Sequence, residues 1–402
     1  VVTSPPAEGL APPAIRAIAF AGACTFIDLY ATQPILPVLE REFGVDEVQA
    51  SLTVSAPTMA VALAAPLFGV IASRTRRRAV IVPGLIALGL STLLVFTAES
   101  LGALLAWRFI EGLAISAVYV FVLAYVGEES TASDVGRAMS AFVSGNVVGG
   151  FAGRTIVGLL TDLAGWRSAF VGLGLINLVG AVTTWLWLPP SRRLVVGAPR
   201  VRDRTAPSAA WRALRDPRLV ATFVVGFDVL FALVAAFTYV VFHLHAAPFA
   251  LSTSAISAIF AVYLIGAAAT PAAGPIIDRA GPRRVLIAAT SAASLGMVLT
   301  LAPVVPVIVL GLALAATGAF VSQSAATSFL RTAAPLEHRA LASGVYVAAY
   351  YLGGSAAGVV PGLLWEMSGW PGCVAIVLAA QALTLGVATW AWRPRGSSRR
   401  AP

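Results

Sequence analysis

The chain has 402 residues, 58% of them hydrophobic and only 11% charged, with 36 glycines and 25 prolines. A soluble globular domain carries about 25% charged residues, so the composition excludes one and points to a chain that crosses a bilayer many times. The formal charge of +9 comes entirely from Arg; these arginines sit in short stretches between apolar runs, which reads as a topology signal and not as a nucleic-acid footprint.

Residues 1–14, rich in Pro and Ala, read as a loose tail. Spanning a bilayer takes about 20 apolar residues, and six such runs follow: Ile15–Leu39, Val48–Ser73, Val80–Ala98, Leu101–Val126, Ala138–Leu160 and Trp166–Leu188. The first run is followed by many others, so it is not a cleaved signal peptide. A polar linker, 189–217, carries Arg192, Arg193, Arg200, Arg202, Arg204, Arg212 and Arg215. Six more runs come next: Leu219–His243, Ser254–Ala273, Val285–Leu301, Val304–Thr327, Ala340–Trp365 and Gly372–Trp392, then a basic tail over 393–402. The expected fold class is therefore an all-α integral membrane protein: an N-terminal six-helix bundle over 15–188, the linker, and a C-terminal six-helix bundle over 218–392.

Segments after even-numbered runs hold Arg74–Arg78, the linker cluster, Arg279, Arg283 and Arg284, and the tail arginines. Those after odd-numbered runs hold Glu40, Glu42, Asp46, Glu47, Glu99, Asp162 and Glu366, opposed only by Arg41 and Arg167. The basic side is cytoplasmic by the positive-inside rule, which places both termini inside. Trp166, Trp365 and Trp370 then fall at the outer boundary and Trp185, Trp187, Trp390 and Trp392 near the inner one, as aromatic belts do. Cys24 and Cys373 lie in opposite halves, so neither a disulfide nor a metal site is expected.

The chain repeats itself at about half its length. Trp166 returns as Trp370 and Gly149-Gly150 as Gly353-Gly354. The basic stretch with Gly69, Ser73, Arg74, Arg76, Arg77 and Arg78 returns with Gly274, Asp278, Arg279, Gly281, Arg283 and Arg284. Such a period signals two copies of one helical unit. Twelve runs in two copies about a basic linker resemble the major facilitator superfamily over almost the whole chain. The second basic stretch matches that family's loop pattern of Gly, Asp, Arg, Gly and further basic residues; the first has Ser73 in place of Asp and lacks the second Gly. Arg108-Phe-Ile-Glu111-Gly112 is similar to the family's Arg-x-x-x-Gly motif. Gly145, Gly149, Gly150 and Gly153 resemble the glycine motif of its antiporters, with Gly150 where Pro is usual and Arg154 where the last Gly is usual. Asp28 with Pro34-Ile-Leu-Pro37 resembles the first-span signature of drug:proton antiporters.

The resemblance implies a monomeric carrier of small organic compounds in a bacterial inner membrane, exporting them against protons by alternating access. It implies no cofactor, the proton gradient supplying the energy. A facilitator, symporter or importer of a sugar, anion or metabolite has the same fold. With no Walker loop, no His or Cys at metal spacing and no soluble catalytic domain, an enzyme or a receptor-like sensor is disfavoured.

A charge inside hydrocarbon costs several kcal/mol and so marks a function or a partner. There are five: Asp28, Arg108, Glu111, Arg154 and Asp228. At a rise of 1.5 Å per residue, Asp28 lies ~20 Å from the inner start of its span, Arg108 ~10 Å from the outer start of its own and Arg154 ~24 Å from the inner start of its own. All three thus share one layer in a core about 30 Å thick, with Glu111 one turn deeper on the face of Arg108. Either the set is a neutral ion-pair network that pins the bundle, or Asp28 exchanges a proton in competition with a nearby guanidinium. Glu111 reads as the local partner of Arg108 at i, i+3.

Asp228 lies ~15 Å into the seventh run with no basic residue at its depth. It shares a face with Ala232, Ala235 and Tyr239, a stripe that reads as cavity lining, and is assigned a substrate or proton role against a local hydrogen bond to Ser or Thr. His243 and His245 fall at the outer end and read as solvated. Tyr30, Gln33, Tyr119, Gln323, Tyr346 and Tyr350 are further cavity candidates. The stripe Gly145/Gly149/Gly153 is a close-packing face. The two basic stretches, and Asp278 above all, are candidates for a gate on the inner side, the alternative being topology alone.

Overall fold

A computed structural model describes residues 10–72, 75–131, 134–191 and 214–393. All regular structure among them is helical. Ser73, Arg74, most of the linker, and all of the last tail but Arg393 lie outside the described residues. Two compact units are formed, one by 1–200 with 237–264, the other by 201–236 with 265–402.

In the first unit, α1 (Pro12–Leu29) gives way to a 3-10 turn over Gln33–Ile35 and then to α2 (Leu36–Phe43). The first run is thus broken, because Pro34 and Pro37 remove two backbone donors and disfavour helix ahead of them. The helices α3 (Glu47–Ala72), α4 (Arg78–Leu94), α5 (Leu101–Glu129), α6 (Val135–Ala164) and α7 (Trp166–Trp187) follow. α5 is N-capped by Ser100, whose hydroxyl accepts the Ala103 N–H, satisfying one of the free donors of a helix start.

Next comes α8 (Pro217–His245), of which 237–245 belong to the first unit, and then α9 (Thr253–Ile259) and α10 (Val262–Ala280). α9 packs on the C-terminal half of α6: Asp162 accepts the Ser254 N–H at 2.8 Å, and Ser257 fills the space that a side chain at Gly158 would take. The remainder of α10, α11 (Pro282–Leu299), α12 (Val305–Ala333), α13 (Arg339–Ala356), α14 (Gly362–Ser368) and α15 (Trp370–Ala391) complete the second unit.

Ten helical stretches among the described residues are long and apolar enough to cross a membrane. The other two expected runs are helical in a different form. α11 starts with Arg283 and Arg284, which dilute its apolar character, and the eleventh run is split into α13 and α14 by a turn ending at Pro361. Large apolar side chains such as Leu67, Leu163, Leu363 and Trp390 are left exposed, which a lipid surround tolerates and water does not.

Two apolar clusters fill the first unit. One gathers Ile18, Phe121, Tyr125 and Phe142; the other gathers Leu39, Leu104, Trp166 and Phe170. α1 contributes Cys24 to the first and Ile27 to the second, so Asp28 stands where they meet. Both cysteines are buried free thiols.

The aromatic-belt expectation is corrected at three positions. Trp166 is buried edge-on to Phe43 and Phe170, and Trp370 is buried and donates its indole N–H to Thr300 O at 3.1 Å. Trp392 is buried and stacked on Phe329 at 4.0 Å. Trp185, Trp187 and Trp390 are exposed. Trp166 and Trp370 each follow a glycine with positive φ, Gly165 at 83° and Gly369 at 61°, a conformation that side chains disfavour.

α1 and α6 are in backbone contact. A Cβ at Gly145, Gly149 or Gly153 would stand 1.9, 2.2 or 1.9 Å from the carbonyl oxygens of Ala19, Ala23 and Ile27. Small residues at four-residue spacing let helices approach this closely. Gly150 lies off this stripe, nearest the Arg154 guanidinium. In the second unit Gly353 repeats the device, its Cβ position 1.9 Å from Phe227 O.

Replacing Gly153 with Ala must therefore part α1 from α6. We expect a loss of about 1–3 kcal/mol, the usual cost of overpacking, read as a lower unfolding midpoint of the detergent-purified protein. Gly386→Ala, where nothing lies within 4 Å, leaves the midpoint unchanged or slightly raised.

Candidate functional site

The site is built on two backbone defects. The 3-10 turn after α1 directs the Gln33 N–H to Tyr30 O, which strips Leu29 O of its ordinary i+4 donor. In α3, Thr53 O faces Pro57, four residues on, which has no N–H. Arg108 of α5 answers both: Nη2 donates to Leu29 O at 3.0 Å and Nε to Thr53 O at 3.1 Å. One turn along, Gly112 admits the Pro57 carbonyl, which would lie 2.3 Å from a Cβ there. This accounts physically for Arg and Gly four residues apart on one face of α5.

The third donor of Arg108, Nη1, pairs with Glu111 Oε2, and both side chains are fully buried. Asp28 is fully buried beside them and makes no ion pair among the described residues; its Oδ2 accepts the Asn177 Nδ2–H from α7. Asp28 Oδ1, Asn177 Oδ1 and Glu111 Oε1 have no hydrogen-bond partner among the described residues. The Thr92 hydroxyl of α4 lies beside both carboxyl groups and donates to Leu88 O at 2.8 Å.

Arg154, expected in the same layer, stands apart. Its Nε donates to Gln33 Oε1 at 2.8 Å and its Nη1 to Gly150 O at 2.6 Å. The guanidinium carbon lies 4.8, 5.1 and 4.7 Å from the ring centres of Tyr30, Phe260 and Tyr263. Gln33 also donates from Nε2 to Thr238 Oγ1 at 3.1 Å. The structure thus brings Asp28, Arg108 and Glu111 together, and Tyr30, Gln33 and Arg154 together, as two groups. Tyr119 packs against Phe26 and Phe142, and Tyr239 is buried near Phe242.

In the second unit Asp228 is buried beside the Thr384 hydroxyl, its Oδ1 unpartnered among the described residues. Tyr350 donates to Gln323 Oε1 at 2.9 Å, and Tyr346, which fills the space in front of Gly226, stacks on Tyr350 with its own hydroxyl unpartnered.

The basic stretches bind within their own unit. Arg77 pairs with Glu128 through two nitrogens and donates to Thr75 O at 2.7 Å. Arg78 donates to Trp185 O at the end of α7, and Arg283 donates to Thr389 O at the end of α15, at 2.9 Å. Cations suit the negative end of a helix. Asp278, Arg279 and Arg284 are exposed, and none of them has an ion pair among the described residues. A Cβ at Gly69 or Gly274 would meet nothing within 4 Å.

Asn177, Thr92, Thr238, Phe260 and Tyr263 join these groups without having stood out in the sequence. Asn177 carried a signal, a lone amide in the apolar run of α7. The aromatic residues carried none, for only the fold turns them towards Arg154.

Membrane-competent helices in a half-length repeat, with charged side chains buried among them, are the build of a membrane carrier. The sequence profile of the Major Facilitator Superfamily matches residues 18–262 and 229–402, and the chain belongs to that family. It is a multi-pass membrane protein, a secondary transporter of a small molecule and not an enzyme. It is 32% identical to the uncharacterized MFS-type transporter YybF of Bacillus subtilis (strain 168), over 94% of this chain and 93% of that protein. It is also 32% identical to the inner membrane transport protein YnfM of Escherichia coli (strain K12), over 92% of this chain and 88% of that one. The crystal structure of a mutant of the nucleoside transporter NupG superposes with a TM-score of 0.78 at 14% identity, covering 94% of this chain and 99% of that one, a likeness of fold.

Removing Arg108 leaves two carbonyls and Glu111 stranded. Arg108→Met should destabilise by about 3–5 kcal/mol, the range for a broken buried pair. Adding Glu111→Gln should restore part of the loss, read as a positive coupling in a double-mutant cycle of unfolding midpoints.

Proposed function

We propose that this protein exports small organic compounds across the inner membrane in exchange for protons, with Asp28 as the proton carrier. Charge balance supports the assignment. Asp28, Glu111 and Arg108 are all fully buried, and with both acids ionised they would hold one uncompensated negative charge in low dielectric, at a cost of several kcal/mol. One proton makes the cluster neutral. Glu111 is held by Arg108, so the proton belongs on Asp28.

The observation that carries the reading is the pair of orphaned oxygens, Asp28 Oδ1 and Asn177 Oδ1. Asn177 already donates to the other carboxyl oxygen. A proton on Oδ1 gives Asn177 Oδ1 the donor it lacks, so the acid and the amide partner each other twice. Loss of that proton strands both oxygens and restores the charge, which biases the break between α1 and α2 and the helices around it. In this mechanism two six-helix bundles, 15–188 and 218–392, alternate access between the two sides of the membrane, with both termini on the basic, cytoplasmic side.

Export is supported by the resemblance of the Asp28–Pro37 segment and of the α6 glycine stripe to antiporters, and the inner-membrane assignment by similarity to YnfM. Asp228, buried with an unpartnered oxygen, is the second proton or substrate position. Other couplings share the fold: a facilitator, a symporter or an importer.

Proteoliposomes with an imposed pH gradient test the reading on a panel of small organic compounds. Efflux should follow the gradient in the wild type, and Asp28→Asn should abolish that dependence while the protein stays folded. Wild-type flux indifferent to the gradient excludes proton coupling; coupling retained by Asp28→Asn transfers the role to Asp228.

A further inference from the structure

The proton cluster leaves Arg154 unused, and its surroundings are unusual for a cation. The side chain is 4% exposed, deep in α6, and no carboxylate pairs with it among the described residues. Its contacts among the described residues are neutral: the Gln33 carbonyl oxygen, the Gly150 carbonyl, and the faces of Tyr30, Phe260 and Tyr263. Ring faces attract a cation through their quadrupole, and each contributes modestly. They do not cancel its charge. Arg108 shows the contrast, being equally buried yet neutralised by Glu111.

We propose that Arg154 is the counter-charge for the transported compound, which is an organic anion with a single carboxylate-like group. The planar guanidinium fork suits such a group, and the Gln33 amide lies beside it to share the contact. The apolar body of the anion lies against the aromatic faces of Tyr30, Phe260 and Tyr263. In the structure those rings and Gln33 hold the guanidinium, which is how an unneutralised charge is kept within the membrane.

The inference deepens the transport reading by naming its substrate class, and it rests on that reading. It does not rest on proton coupling, since binding is measured without a gradient. Purified protein in detergent is titrated with matched pairs of monocarboxylates and their neutral amides, benzoate and benzamide first, then cyclohexanecarboxylate and octanoate with their amides. The readouts are intrinsic tryptophan fluorescence and the unfolding midpoint.

At least one acid should bind the wild type and its amide should not. Arg154→Lys, which keeps the charge, should keep the selectivity with weaker binding. Arg154→Gln should bind the acid about 10- to 100-fold more weakly, the loss of one charge-assisted contact. Equal binding of acid and amide, failure of every acid to bind the wild type, or undiminished binding by Arg154→Gln overturns the proposal. Should Arg154→Gln fail to fold, the pairwise comparison on the wild type and Arg154→Lys decides alone. Anion selectivity with gradient-independent flux would leave the anion site standing and remove only the proton reading.

Discussion

Inside a bilayer every backbone carbonyl needs a donor from within the protein, and in the first unit Leu29 O and Thr53 O lack the ordinary helical one. Leu29 O loses its donor to the 3-10 turn after α1, and Thr53 O faces a proline. Arg108 answers both from α5 while paired with Glu111. Three helices, α1, α3 and α5, are thereby tied at one guanidinium. The packing nearby follows: Gly112 admits Pro57, and Asp28 is set at the junction of two apolar clusters.

That constraint shapes the chemistry beside it. A guanidinium engaged by two carbonyls and a carboxylate is poorly free to swing to a second acid. In the structure the hydrogen-bond partner of Asp28 is Asn177, while Arg108 lies close by with its donors engaged elsewhere. Glu111 fixes Arg108 and Arg108 fixes the backbone. Asp28 is left with one bonded oxygen and one unbonded oxygen, the arrangement in which adding a proton changes most.

Much of the fold was legible because lipid imposes simple rules. Apolar length marked the spans, the half-length recurrence of Trp166 and Gly149 marked the duplication, and the four-residue glycine spacing marked a close-packing face, though not that α1 is what packs on it. The i, i+3 relation of Arg108 and Glu111 gave their pairing directly. What failed to show was set by tertiary geometry. Depth along a helix put Arg154 level with Asp28, but depth carries no azimuth, and the fold points Arg154 at Tyr30, Phe260 and Tyr263 instead. The tryptophans misled for a related reason: a ring near a span end meets either lipid or protein, and the Gly165 and Gly369 turns direct Trp166 and Trp370 inward. The break after α1 was signalled by Pro34 and Pro37, yet its use by Arg108 could be seen only once α5 was in place.

The hydrogen bonds from Arg78 to Trp185 O and from Arg283 to Thr389 O occupy equivalent places in the two copies. The glycine turns before Trp166 and Trp370 do likewise. Shared features of this kind are what a repeat of one helical unit predicts. In each copy an arginine after the second span fastens to a carbonyl near the end of the last helix. The two stretches differ where Asp278 has Ser73 as its counterpart, so only the second carries an acid among its arginines.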